Sequence, residues 1–196
     1  MLNMFDYAGE VAANRELSDF QRMRALNGDG FIFVLDPTQD KGKQSEVLVS
    51  IREDLKLIKS VEAGQSVRIP IAICVTKLDL LVTLPAAGPS DVHTAIDRFY
   101  EQLRDVDPTG KALNLSIIEQ RSKLIADLRD TIWQEWNIEN QVNDLFGGRI
   151  MFFPMSPYGL NDLGVVDVRD KAQIVPFGIL EPFLWLLHMN GYPVLN

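Results

Sequence analysis

Ile71-Ala72-Ile73-Cys74-Val75-Thr76-Lys77-Leu78-Asp79 joins an unbroken apolar run to a polar turn. Its apolar part, from Ile69 to Val75, does not alternate and stops abruptly on polar residues. That is how a short strand covered on both faces reads. Three further apolar runs stand in the chain, Leu2–Phe5, Phe31–Leu35 and Arg149 to Met155, and three of the four are nearly continuous in Val, Ile, Phe and Met. Helical patterns lie between them. Leu17, Phe20, Met23 and Leu26 fit one helix, and Val47, Leu48, Ile51, Leu55 and Ile58 fit a second at three- and four-residue steps. Ile179 to Met189 predicts a last helix, with Gly191 placed to stop it. Strand alternating with helix implies an α/β fold with a doubly wound, mostly parallel sheet.

The segment from about Thr83 to Gly147 breaks that rhythm. After a Pro/Gly loop that ends near Ser90, Val92, Ala95, Ile96, Phe99, Tyr100 and Leu103 share one helical face. Beyond Gly110, Ile117, Ile118, Leu124, Ile125, Leu128, Ile132, Trp136, Val142 and Phe146 fall within about a third of a helix circumference. The expectation is one domain over residues 1–196, carrying a helical hairpin insertion over about 83–147.

Composition sets the bounds. The 196 residues are 46% hydrophobic and 23% charged, enough for one real core and unlike a disordered chain. A net charge of −8 argues against nucleic acid or an anionic membrane as the main partner. No run is long enough to span a bilayer, so no membrane insertion is expected. One cysteine excludes an internal disulfide framework and fits a reducing compartment; with no leader in view, a cytoplasmic location is expected. Cys74, inside a strand run, reads as a small hydrophobe, and His188 as a residue of a helix face. Between Asp91 and Gly147 stand eleven acidic and six basic residues, so the hairpin carries most of the acidity and suits a protein partner.

In an open α/β sheet, ligands bind beyond the carboxyl ends of the strands. Three motifs stand there. Asp6-Tyr7-Ala8-Gly9-Glu10 follows the first run: an Asp at a strand end can hold Mg²⁺, and a Gly lets a backbone N–H approach a phosphate. Read alone, the same residues fit a strand-to-helix turn with Asp as a cap. Thr76-Lys77-Leu78-Asp79 follows the third run. Its Asp can accept two hydrogen bonds from a guanine edge and its Lys stem can pack over a ring, although a solvated turn would look the same. Ser156-Pro157-Tyr158-Gly159 follows the fourth.

Order and position together resemble the second part of a Ras-like GTPase domain, in the translation-factor-related branch of P-loop NTPases. Asp6-x-x-Gly9 resembles the family's motif at the start of switch II, and Phe31–Asp36 the strand after it. Thr76-Lys77-Leu78-Asp79 resembles the guanine-recognition motif in the Thr form seen in dynamin-like proteins, and Ser156 the Ser of the final base-contacting loop. The long insertion is similar to that of bacterial double-GTPase-like domains. The resemblance implies GTP or GDP and Mg²⁺ as ligands of the complete protein, and hydrolysis of GTP to GDP. It assigns Asp6 to the metal, Gly9 and Glu10 to the γ-phosphate and its water, and Thr76, Lys77, Asp79 and Ser156 to the base.

Two departures qualify it. No Gly-x-x-x-x-Gly-Lys-(Ser/Thr) occurs anywhere, so the loop that holds the β- and γ-phosphates is missing from this sequence. The expectation is a GTPase core cut short at its N-terminal side, and weak binding of GTP by this chain alone. The alternative is a GTPase-like scaffold without catalysis, acting on a protein partner through its helical insertion. The second departure is Glu10, where the family usually has a water-orienting Gln. Glu10 can act as a base, or it can simply be an acid favoured at a helix start.

Overall fold

The structure is a computed structural model, and it describes residues 27–58, 69–81, 90–106, 114–132, 149–157 and 176–195. The expected strand at Leu2–Phe5, the helix over Leu17–Leu26, and Asp6, Gly9 and Glu10 lie outside the described residues. Contacts divide the chain into two units. One comprises residues 1–31, 39–70 and 137–150, and the other residues 32–38, 71–136 and 151–196.

In chain order the elements are β1 (Phe31–Leu35), α1 (Lys41–Ile58), β2 (Ile71–Val75), α2 (Leu78–Leu81), α3 (Ser90–Val106), α4 (Leu115–Ile132), β3 (Ile150–Pro154) and α5 (Glu181–Met189). Among the described residues three strands form one sheet, in the order β1-β2-β3. All run the same way, since Thr76 N–H bonds to Leu35 O at 2.9 Å and Met155 N–H to Val75 O at 2.8 Å, aligning three carboxyl ends. The α/β expectation therefore holds at the level of a parallel sheet with helices.

In the first unit, α1 begins where Asp40 caps it. The Asp40 carboxylate accepts the Lys43 amide at 2.9 Å, satisfying one of the orphan donors of the first turn.

The second unit holds most of the sheet. Every residue of β2 is buried, as its unbroken apolar run implies. β1 differs from the expectation of burial on both faces: Val34 is exposed while Phe33 and Leu35 are buried. Ala72 and Cys74 point to one side of β2 and belong to a cluster with Ile118 of α4, Phe153 of β3, Trp185 of α5 and Leu195. Small side chains on the central strand leave room for the Trp185 indole, whose ring centre lies 5.8 Å from that of Phe153 at 59°.

The segment read as an insertion is tied into this core. α3 and α4 pack on each other, with Ile96, Phe99 and Leu103 buried on α3 and Ile118, Ile125 and Leu128 on α4. Asn114 caps α4 through the Ile117 amide at 3.0 Å. The Ser122 hydroxyl accepts the Phe152 amide of β3 at 3.0 Å.

α5 ends as the sequence suggests. Gly191, at φ +86°, gives its N–H to His188 O at 2.9 Å, and Tyr192 gives its N–H to Leu187 O at 3.0 Å. This pair of bonds is a Schellman stop, and its left-handed position favours glycine. Among the described residues no helix is long and apolar enough to cross a membrane.

Candidate functional site

The site lies where the three carboxyl ends meet. Thr76 leaves β2 with both its amide and its hydroxyl on Leu35 O, at 2.9 and 3.0 Å. The hydroxyl thus extends the β1–β2 ladder by one residue and fixes where the chain departs. The next residue, Lys77, has φ +55°. A non-glycine residue in that region costs about 1–2 kcal/mol, so the surroundings must hold it there. The chain then enters the single turn α2, opened by the Leu80 amide on Lys77 O at 2.9 Å. Asp79 lies within that turn, two residues past the left-handed position.

Asp36, the first residue beyond β1, carries no role in the sequence reading, and it organises the cluster. Its Oδ2 meets Lys77 Nζ at 2.6 Å. Its Oδ1 accepts the Thr38 amide at 2.9 Å and the Thr38 hydroxyl at 2.6 Å, an Asx-turn that closes the loop after β1. Burial alone would raise the carboxyl. The hydrogen bonds from Lys77 and from the Thr38 hydroxyl and amide, with the Lys77 charge, outweigh it and hold Asp36 below its ordinary 3.8. The Lys77 side chain, expected to lie over a ring, is anchored to a carboxylate here.

Ser156 is fully buried. Its N–H donates to Phe177 O at 3.0 Å and its carbonyl accepts the Phe177 N–H at 2.9 Å, an isolated antiparallel bridge. In this arrangement Ser156 has no exposed surface and its backbone N–H and C=O are both engaged. The Ser156 loop still reaches the Thr76–Asp79 turn, because Met155 O accepts the Leu78 amide at 3.5 Å. Tyr100 of α3 donates its hydroxyl to Leu78 O from the other side.

No family model, curated protein or solved structure matches the chain. Among the described residues no group of three or more His, Cys, Asp and Glu side chains is arranged to hold a metal ion. The Asp36 carboxylate is occupied by Lys77 and Thr38, and Asp6, expected at the metal, lies outside the described residues. The described residues therefore do not by themselves fit Mg²⁺.

Away from the strand ends, Arg121 and Glu181 form a buried ion pair at 2.6 Å, their side chains 3% and 7% exposed. The Arg121 guanidinium also lies 4.6 Å from the centre of the Phe177 ring. The cavity beside the pair, lined by Ile118, Phe153, Pro154 and Gly178 among others, is about 10 Å³, room for one water and no more. Cys74 lies in the same core. Burial, with the Glu181 charge, pushes its thiol up to about 12 from 9.0, which suits a packed hydrophobe and not a nucleophile.

Proposed function

We propose that this chain supplies the guanine-selecting part of a GTP-binding molecular switch, with Thr76, Lys77 and Asp79 at the base pocket and GTP hydrolysis the activity of the complete protein. The observation that carries the reading is the left-handed Lys77 at the meeting of three parallel carboxyl ends. Such a residue lifts the following turn off the sheet, and its side chain is already restrained by Asp36. A loop rigid before binding loses less freedom when a ligand seats on it. Asp79, in the turn so placed, is the group this reading gives to the guanine edge.

Energetics limit what these residues do alone. Each hydrogen bond to a base is worth about 0.5–1.5 kcal/mol net, while immobilising a ligand costs several times that. The sequence holds no phosphate loop to make up the difference. GTP and GDP should therefore bind this chain weakly, and GTP should be hydrolysed negligibly.

The test is chemical-shift perturbation of the full chain at millimolar nucleotide. GDP should move the Lys77, Leu78 and Leu80 amides more than ADP does. Asp79→Asn should shift the preference from guanine to xanthine nucleotides, since the exchanged amide reverses one donor–acceptor pair. Equal or absent responses to GDP and ADP would remove the base pocket.

A second reading, a GTPase-like interaction scaffold, draws on a different observation. Asp97, Glu101 and Asp105 recur every fourth residue along α3 and all three are exposed, forming an acidic stripe. Arg98 and Arg104 are also exposed on that helix, so the stripe is narrow. It suits a basic protein surface, and a pull-down abolished by charge reversal at these three positions would support it.

A further inference from the structure

We infer that Tyr100 and Arg121 are positioning residues through which α3 and α4 set the two loops of the candidate site; the inference rests on reading Thr76–Asp79 and the Ser156 loop as that site. Each helix sends a side chain to these loops: Tyr100 to loop backbone, and Arg121 to the ring of a residue whose backbone is paired with Ser156. From α3, the Tyr100 hydroxyl donates to Leu78 O, inside the turn that carries Asp79. The ring itself is held edge-on against Phe99, with centroids 5.5 Å apart at 61°, so its hydroxyl has little freedom to follow a moving loop. From α4, Arg121 grips two residues at once, the Glu181 carboxylate at 2.6 Å and the face of Phe177 at 4.6 Å. Phe177 in turn holds Ser156 through both backbone bonds.

The two chains of contact meet. Ser156 follows Met155, whose carbonyl accepts the Leu78 amide, while the Leu78 carbonyl accepts the Tyr100 hydroxyl. Leu78 is thus held on both sides, its N–H by the Ser156 loop and its C=O by α3. A shift of either helix is passed to the residue between Lys77 and Asp79. Packed elements pass on such shifts because they do not deform continuously. Gly178 closes the remaining slack: a side chain there would collide with Pro154 O, so the strand end and the Phe177 turn are in direct backbone contact.

Hydrogen–deuterium exchange of the full chain without nucleotide tests this. Tyr100→Phe removes one oxygen and keeps the ring packing. Arg121→Lys keeps the charge toward Glu181 and loses the planar fork over Phe177. Exchange should quicken roughly tenfold over residues 76–81 in the first variant, and over 155–157 and 176–178 in the second, with 71–75 as protected as before. A uniform increase throughout the chain, or no local change in Tyr100→Phe, would overturn the inference. Should Arg121→Lys fail to fold, Glu181→Gln, which weakens the same grip, takes its place with the same expectation. A GDP titration separates the two claims. Local exchange changes without any GDP response in the wild type would sink the nucleotide reading and retain the coupling. A GDP response with exchange unaltered in both variants would sink the coupling and retain the site.

Discussion

Lys77 Nζ lies 2.6 Å from Asp36 Oδ2, so the second residue beyond β2 is joined to the first residue beyond β1 across the carboxyl end of the sheet. The pair is partly exposed, 42% at Lys77 and 20% at Asp36, which puts its contribution nearer that of a surface ion pair than of a buried one. Asp36→Asn should lower stability by about 1 kcal/mol near neutral pH, through the lost charge and the weakened bonds from Thr38. Urea midpoints for the wild type and the variant measure it.

The same carboxyl gives a pH dependence. Because Asp36 is held below 3.8 in the folded chain, the unfolded chain takes up its proton first as acid is added. The contribution is present above that ordinary value and is lost as pH falls through the lower folded value. The stability gap between wild type and Asp36→Asn should therefore close in acid. A gap that stays constant down to the acid transition would show that Asp36 is not ion-paired.

Lys77 offers a backbone test separate from its charge. Lys77→Ala and Lys77→Gly both lose the bond to Asp36, but only glycine occupies φ +55° without steric cost. Lys77→Gly should be the more stable of the two by up to about 1 kcal/mol. The reverse order in thermal melts would mean the left-handed geometry is not maintained in solution.

Two glycines with positive φ should respond unequally to alanine. At Gly178, φ +72°, a Cβ would collide with Pro154 O, whereas at Gly191, φ +86°, it meets nothing within 4 Å. Gly178→Ala should cost about 2–4 kcal/mol, combining strain with a displaced strand end. Gly191→Ala should cost only the strain, about 1 kcal/mol. Similar losses at both would argue against the close backbone approach at Gly178.

Cys74 predicts an alkaline limit. Its thiol is raised to about 12 from an ordinary 9.0, so the unfolded chain ionises first. The stability linked to the neutral thiol is full below about 9 and is lost as pH rises toward 12. Cys74→Ala should flatten that part of the stability–pH curve. In the native wild type, a thiol reagent should react only as fast as the core opens.

Whatever depends on near neighbours is legible in the sequence. Phe31–Leu35 is bounded by its own apolar run, Ile150–Pro154 and Ile71–Val75 to within two residues, and the Gly191 stop by local chemistry. The carboxyl-end position of Thr76 and Lys77 follows from strand type alone. The exposure of Val34 does not, because an apolar run does not say which of its members lacks a cover. Asp36 gives no local signal, since its role is set by a lysine beyond the next strand. Arg121 looks like any charged helix residue until Glu181, 60 positions on, is folded against it. Periodicity puts Tyr100 on the correct helical face, but the reach of its hydroxyl to Leu78 is a property of packing that periodicity does not carry. Ser156 stands out for its position after a strand, which the structure keeps, while its pairing with Phe177, 21 positions on, has no local signal.

The bond between Phe152 and Ser122 has a consequence for how molecules of this protein meet one another. Along β3 the amides alternate in direction, and since Met155 points its N–H to β2, Phe152 and Pro154 face the opposite flank. The first has given its hydrogen to a helix hydroxyl and the second, as proline, has none to give. At these two alternate positions that flank offers no backbone donor, so a strand from another molecule docking there would find carbonyl acceptors alone. By occupying the Phe152 amide, Ser122 makes intermolecular β-pairing at that position less favourable, and its replacement by alanine should lower solubility on storage.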